Sequence, residues 1–459
     1  MMGGFLMNIH KFQVNGEYIL LDVNSGAVHV LDEASYRVMD VFDGTNDAAV
    51  IDNFAPKFGE ESVREILVEL HELMDAGGLF SPTAQIPPVF AAKPIVKSLC
   101  LHIAHDCNLR CGYCFAETGS FGHDRGLMTP EVACRAVDFL LEHGGKRKNA
   151  EIDFFGGEPL LNMETVRVAV AHIRRRETET GKHFNLTLTT NTVLLDQGIL
   201  DFLNREHIQL ILSIDGRREV HDKMRPFADG AGSYDHVVAN MHKAVDSRQG
   251  ENYYARGTYT AYNLDFAADV LDLADQGFRR LSVEPVVGKD APYGLTEAHL
   301  PELYRQYELL AAEYLRRKAA GNGFEFFHFN VDLHNGPCLV KRLSGCGAGH
   351  EYFAVTPTGD LYPCHQFVGR DDFKVGSVFT GIDRRELCDE FRQAHVLTKA
   401  ECRECWARFY CSGGCHANAH AYNGTIGIPY QLGCELQKKR LECAIAVQIG
   451  LQRQGQGSN

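Results

Sequence analysis

The sequence predicts an α/β chain built around an open, partial (β/α)6 barrel at residues 96–320. A small winged-helix-like unit at residues 8–85 precedes it, and a cysteine-dense domain at residues 338–451 follows. Three observations lead to this architecture. Six apolar, β-prone runs alternate with helical patterns through the middle of the chain, the arrangement of parallel strands joined by crossover helices. The 459 residues exceed what one ordinary core organises. Ten of the fifteen cysteines fall after residue 337, which gives the C-terminal part a chemistry of its own.

In the first unit, Phe12, Val14 and residues 18–21 and 28–31 alternate as short strands do, with a turn at Asn24-Ser25-Gly26. Helical patterns follow at residues 34–42 and 61–73, the second stopped by Gly77-Gly78. Strands followed by helices at this size suggest a DNA-binding winged helix, but the charge opposes it. Residues 1–90 carry four Lys/Arg against fourteen Asp/Glu, a net of −10. The unit is therefore expected either to take an extended peptide along an open sheet edge or to act as a structural cap. A Pro-containing linker is expected at residues 82–94.

The six strands of the middle segment are expected at residues 96–103, 150–155, 185–190, 209–214, 254–259 and 280–286, with helices among them at 130–141, 164–177 and 234–246. Six are too few to close an eight-stranded barrel. Ligands in such folds gather at the C-terminal ends of the strands. A final amphipathic helix is expected at residues 435–451, before a polar, loosely held tail at 452–459.

Composition narrows the function. Hydrophobic residues make up 45% and charged residues 23%, as in a globular protein, and no run of eighteen apolar residues suggests a membrane span. The N-terminus lacks a basic-then-apolar signal pattern, so a reducing cytoplasm is expected. A formal charge of −14 argues against a general nucleic-acid partner. In that setting fifteen cysteines point to metal ligation ahead of disulfides.

Two motifs stand at strand ends. After the first strand comes CNLRCGYC, which brings Cys107, Cys111 and Cys114 together with no fourth ligand nearby. Three thiolates on a four-iron cluster leave one iron open, whereas a closed structural site takes four ligands. A buried cysteine cluster or a partial zinc site is the alternative. The second strand ends in FFGGEP, where Gly156 and Gly157 admit close approach to the backbone and Glu158 offers a carboxylate to an ammonium. A plain turn is the alternative there.

Together, these motifs resemble the radical S-adenosylmethionine (SAM) enzymes. The resemblance implies that Cys107, Cys111 and Cys114 hold a 4Fe-4S cluster whose open iron binds SAM, and that Tyr113 lies against the adenine. Gly156, Gly157 and Glu158 are then expected at the methionine amino group. Ser213 of the SIDG stretch and Arg225 of HDKMR match positions that contact the SAM ribose and carboxylate; Asn191 is a weaker candidate. The plainer alternatives for Ser213 and Arg225 are a turn serine and a surface ion pair.

The later cysteines resemble the SPASM pattern of radical SAM peptide maturases: Cys346, twelve residues, Gly359, four residues, Cys364, then Cys402, Cys405, Cys411, Cys415 and Cys434. The resemblance implies three 4Fe-4S clusters in all. Cys402, Cys405, Cys411 and Cys434 would hold the outer auxiliary cluster; Cys346, Cys364 and Cys415 would hold the inner one, with Cys338 as a fourth inner ligand or that position open. A zinc ribbon at Cys402, Cys405, Cys411 and Cys415 is the alternative. Cys100, Cys134, Cys388 and Cys443 fall outside these motifs and are expected to be buried structural thiols.

The N-terminal stretch NSGAVHVLDEASYRVMDVF resembles the peptide-recognition element of ribosomal-peptide maturases, and the stretches IAHDCNLRCGYCFAETGSF and GCGAGHEYFAVTPTGDLYPCHQFVG are similar to SCIFF maturases. These act on a small cysteine-rich precursor peptide and join a cysteine sulfur to a threonine α-carbon. The implied partners are such a peptide and a reductant such as flavodoxin or ferredoxin, with no nucleic acid and no membrane. Anaerobic sulfatase maturases are the nearest rival. In them an aspartate base follows the equivalent of Cys364, where this chain has His365.

Overall fold

The computed structural model describes residues 8–83, 95–122, 125–333 and 342–456. Most of the expected linker and Cys338 lie outside the described residues. The chain opens with a hairpin of β1 (Ile9–Val14) and β2 (Glu17–Asp22), closed by Asn15 and Gly16 at φ 52° and 82°, the left-handed backbone that a tight two-residue turn needs. β3 (Val28–Leu31) pairs antiparallel with β2. Three helices follow: α1 (Glu33–Val38), α2 (Asp47–Phe58) and α3 (Glu60–Asp75). The first is shorter than the 34–42 expected. α2 is an addition that Pro56 and a polar start concealed, although Asn46 caps it by accepting from the Ala49 amide.

Period-two alternation lets both faces of this small sheet be buried. Leu20 packs with Val38, Phe42 and Leu67 on the helical side. Phe12, Val14, Ile19 and Leu21 enter the large core shared with the barrel and the terminal helix.

The six expected parallel strands are present as β4 (Ser98–Ala104), β5 (Asn149–Gly156), β6 (His183–Thr190), β7 (Gln209–Ser213), β8 (Tyr253–Tyr259) and β9 (Arg280–Pro285). Around them run α4 (Pro130–His143), α5 (Met163–Thr180), α6 (Gln197–Arg205), α7 (Arg218–Met224), α8 (Tyr234–Asp246), α9 (Phe266–Asp275) and α10 (Leu300–Ala319). The start of α4 shows how local sequence sets an element. Thr129 accepts from the Val132 amide, and Pro130 supplies a first-turn residue with no N–H to satisfy.

The sheet does not stop at six strands. β10 (Glu325–Phe326) extends it beside β9, and at the other edge β11 (Tyr352–Val355) pairs parallel with β4. The antiparallel β12 (Asp360–Tyr362), β13 (Gly376–Ser377) and β14 (Gly381–Ile382) complete eleven strands. The C-terminal cysteine region is thus continuous with the barrel sheet, next to the strand that carries CNLRCGYC. Short strands such as DLY and GS carry too little pattern to be read from sequence.

Helices α11 (Arg385–Gln393), α12 (Ala400–Arg403), α13 (Arg408–Cys411), α14 (His416–Asn423) and α15 (Gln431–Gln456) follow. α15 packs along α10 and is longer than the 435–451 expected; it includes residues 452–456 of what was expected to be a loose tail. Among the described residues, no helix is long and apolar enough to cross a membrane.

The N-terminal unit is fastened to the C-terminal region by named contacts. Val23 packs with Val396, Cys402 and Phe409. Arg408 donates to Asn24 Oδ1 at 2.7 Å and to Asn8 Oδ1 at 3.2 Å. His10 stacks on Trp406, with centroids 3.8 Å apart, and bonds Glu442 at 2.9 Å.

Candidate functional site: two cysteine-lined cavities

A cavity of about 570 Å³ opens at the C-terminal ends of the strands, and Cys107, Cys111 and Cys114 line it with Gly156, Gly157, Ser213 and Arg225. The loop after β4 is held in place by backbone bonds to the end of α7: the Gly112 amide donates to Met224 O at 2.8 Å, and the Arg110 amide to Pro226 O at 2.9 Å. Asp106 accepts from the Cys107 amide and pairs with Arg125.

The GGE turn is stitched to the same loop. Gly157 N donates to Ala104 O and Glu158 N to Asp106 O, each at 2.9 Å. A Cβ on Gly157 would stand 2.2 Å from Asp106 O, and one on Gly156, at φ 125°, 2.4 Å from Ala104 O. Only glycine allows the two strand ends to meet this closely.

Glu158 departs from the sequence expectation. It is fully buried and does not line the cavity. Its carboxylate accepts from Leu160 N at 3.0 Å, Thr190 Oγ1 at 2.8 Å and Asn191 N at 2.8 Å. Burial pushes its pKa up to about 7, against the opposing pull of these donors. The side chain thereby ties the end of β5 to the end of β6, whereas Gly156 and Gly157 line the cavity.

Tyr113 and Arg225 meet on the cavity wall. The Tyr113 hydroxyl donates to both Asp215 carboxylate oxygens, at 2.8 and 2.7 Å, and accepts from Arg225 Nη1 at 2.9 Å. Arg225 is therefore no surface ion pair: it is 9% exposed, and its Nε is buried without a hydrogen-bond partner among the described residues. Ser213 is half-buried on the same wall. Asn191 donates to Asn108 Oδ1 at 2.7 Å and reaches Cys107 Sγ at 3.7 Å, so this weaker candidate lies beside a cysteine sulfur. Asp215 stands within the SIDG motif, yet only the fold shows that it orients Tyr113 and accepts the Thr258 amide.

The site can be tested for fit to an iron–sulfur cluster. Burial, then the nearby Glu158 carboxylate, raises Cys107 to about 12, and burial raises Cys111 to about 11. Such thiols stay protonated until a metal replaces the proton. Among the described residues no group of three or more His, Cys, Asp or Glu is arranged to hold a metal ion. Thiols that exchange their proton for iron suit the vertices of an iron–sulfur cluster. The orphaned Arg225 Nε adds a donor suited to a carboxylate-bearing ligand. The residues present fit both groups.

The C-terminal cysteines fall into two sets. Cys402, Cys405, Cys411 and Cys434 line a second cavity of about 190 Å³, and the Cys434 thiol feels the other three. The Gly413 and Gly414 amides donate to Cys411 sulfur. Cys364 instead feels Cys415 and Cys346. Cys364 is buried, whereas Cys346 and Cys415 are exposed. Of the cysteines outside the motifs, Cys100 and Cys443 are buried as expected; Cys134 and Cys388 are only partly so.

His365, next to Cys364, lines the large cavity from the C-terminal side, and its Nδ1 lies 3.1 Å from the Tyr352 hydroxyl. Arg256, at the same strand level as Ser213, also faces the cavity. Sequence reasoning missed it, because an arginine within a strand pattern carries no motif.

Known proteins share this arrangement. A family profile described as a 4Fe-4S single cluster domain matches residues 97–239. The radical SAM cyclopropyl synthase TigE of Paramaledivibacter caminithermalis is 22% identical, over 75% of this chain and 72% of its own length. A cysteine-type anaerobic sulfatase-maturating enzyme of Clostridium novyi is 23% identical, over 76% and 95%. Among solved structures, native anSMEcpe with bound AdoMet superposes with a TM-score of 0.64 at 20% identity, covering 77% of this chain and 98% of its own. Streptococcus suis SuiB, also solved with its precursor peptide SuiA, gives 0.51 at 15% identity and covers 92% and 97%. The chain thus has the fold of these solved structures, and across three quarters of its length it is similar in sequence to proteins named as a radical SAM synthase and a sulfatase-maturating enzyme.

Proposed function

We propose that the chain modifies a ribosomally made, cysteine-rich peptide, forming a thioether between a cysteine sulfur and an α-carbon. One observation carries the reading: the three-cysteine loop, the glycine turn and Arg225 share one cavity with His365, the residue that follows Cys364 in the chain. A reduced iron–sulfur cluster with SAM, when bound, would supply the radical chemistry that abstracts a hydrogen atom from the substrate. Cys107, Cys111 and Cys114 are assigned to that cluster. Gly156, Gly157, Tyr113, Ser213 and Arg225 are assigned to SAM, with Arg225 toward its carboxylate.

Forming a C–S bond after hydrogen abstraction releases one electron and one proton. Cys346, Cys364 and Cys415 lie next to the cavity and suit an acceptor for the electron; Cys402, Cys405, Cys411 and Cys434 suit a closed, four-ligand cluster. On this assignment the chain holds three clusters. The exposure of Cys346 and Cys415 favours an inner position open to a substrate thiolate, with Cys338 as the competing ligand. The sulfatase-maturase reading is disfavoured by His365, which stands where those enzymes place an aspartate.

The N-terminal unit is assigned to peptide recognition. The outer edge of β3 is unpaired among the described residues and carries the exposed Val30, so an extended peptide can add as a fourth strand. A flavodoxin- or ferredoxin-type protein is the reductant expected in a reducing cytoplasm. Anaerobic reconstitution with iron and sulfide, followed by mass spectrometry of a co-expressed cysteine-rich peptide, tests the function. The expected result is loss of two hydrogens per crosslink; conversion of cysteine to an aldehyde would contradict it.

A further inference from the structure

The large cavity carries cations in two separate places. Arg225 belongs to the wall of Tyr113, Asp215 and Cys111, whose charges act on it. Arg256 belongs to another wall. The groups that feel its charge are Glu284, His328 and His365, on β9, beyond β10 and beside Cys364. It projects from β8 level with Ser213 on one side and Ser282 on the other.

The side chain of Arg256 is exposed to the cavity, with no ion-pair partner within 4.0 Å and no hydrogen bond among the described residues. Its backbone carbonyl is engaged, accepting from the Ile214 amide at 2.9 Å. Glu284, the carboxylate of its own wall, is taken up by Arg440 at 3.1 Å and lies 3.5 Å from His328. The other cations at the cavity margin are occupied: Lys289 donates to Tyr422 O at 3.2 Å, and Arg370 bonds His420 Nδ1 at 2.8 Å. A guanidinium inside a cavity, with its planar donors uncommitted, is suited to grip a carboxylate with two parallel hydrogen bonds.

The geometry points to Arg256 as the anchor for a substrate carboxylate, an acidic side chain or the C-terminal carboxylate close to the residue that is modified. This deepens, and rests on, the reading of the cavity as a peptide-modifying site. SAM brings its own carboxylate, but the orphaned Nε of Arg225 lies on the other wall and suits it. A carboxylate held at Arg256 lies on the side of His365 and the inner cysteine set, where a neighbouring substrate residue meets the proposed electron acceptor.

The test uses the anaerobically reconstituted, SAM-loaded protein and three synthetic hexapeptides that contain cysteine. Two are blocked at both ends and carry glutamate or glutamine beside the cysteine; the third carries glutamine and a free C-terminal carboxylate. By isothermal titration, at least one carboxylate-bearing peptide binds about tenfold more tightly than the blocked neutral one. The preference disappears in Arg256→Gln and partly survives in Arg256→Lys. Which acidic peptide wins identifies the side-chain or terminal source. Equal binding of all three, no binding of any, or a preference that persists in Arg256→Gln overturns the assignment. So does a fall in SAM affinity in Arg256→Gln in place of the lost preference. Formation of 5′-deoxyadenosine in the same preparation reports separately whether the radical SAM reading stands.

Discussion

The large cavity gathers three cysteines of a single loop among side chains from five strands, β5 through β9. The small one gathers four cysteines among short helices and the start of α15. The difference is one of coordination and of company. Four thiols around about 190 Å³ can saturate a cluster and leave no exchangeable position. Three thiols beside about 570 Å³ of partly polar space would leave a cluster held there one vertex facing room for ligands. Chemistry belongs where coordination is incomplete and the surroundings are varied; structural support belongs where it is closed.

The largest effect that sharpens this contrast comes from the cysteines. In Cys107→Ala, Cys111→Ala or Cys114→Ala, 5′-deoxyadenosine formation is lost while most iron remains, read by product chromatography and iron analysis. Cys402→Ala or Cys434→Ala behaves in the opposite way. Iron falls and the melting temperature drops, because Cys402 packs with Val23 and Phe409 where the N-terminal unit docks. SAM cleavage itself persists. Abolished cleavage in these outer variants, with the remaining iron intact, would break the contrast.

Next in size is Glu158→Ala. It strands the Thr190 hydroxyl and the Leu160 and Asn191 amides in a fully buried place. The expected cost is about 3 kcal/mol or more, read by chemical denaturation, together with loss of SAM binding as Asn191 shifts. Unchanged stability would show that Glu158 does not hold the two strand ends together.

The smallest effect concerns the docking of the N-terminal unit. Trp406 is the only tryptophan in the chain, and its fluorescence reports the stacked His10 directly. His10→Ala changes the emission and leaves 5′-deoxyadenosine formation intact, since no cavity residue touches this contact. A matched loss of cleavage would mean that the unit does more than bind peptide.

Much of this was legible in the sequence, for a physical reason in each case. β4 is buried almost throughout and reads as the apolar run SLCLHIA, whereas β5 to β8 alternate buried and more exposed positions as strands with one covered face do. The ends of all six fell within about two residues of expectation. The division of the later cysteines into sets of four and three rests on the SPASM resemblance and not on chain order, since Cys415 lies between Cys411 and Cys434. In the fold Cys434 feels Cys411, Cys402 and Cys405, and Cys364 feels Cys415 and Cys346. What remained hidden depends on distant partners. β11 is four residues long and gains its place only by pairing with β4. Glu158 reads as a ligand in FFGGEP, but the three donors that hold it come from the turn after β5, the end of β6 and the residue that follows it. Arg256 lies in an ordinary strand pattern, and its lack of a partner is a property of the cavity alone.

The central claim is that the three-cysteine centre keeps a metal vertex open to SAM. Its most direct measurement is electron paramagnetic resonance of the anaerobically reconstituted, reduced protein during titration with SAM. The account predicts that one 4Fe-4S signal shifts, saturates as a single site, and is missing from Cys111→Ala while the other signals remain. A spectrum that SAM leaves unchanged, or a shift that persists in Cys111→Ala, would contradict it.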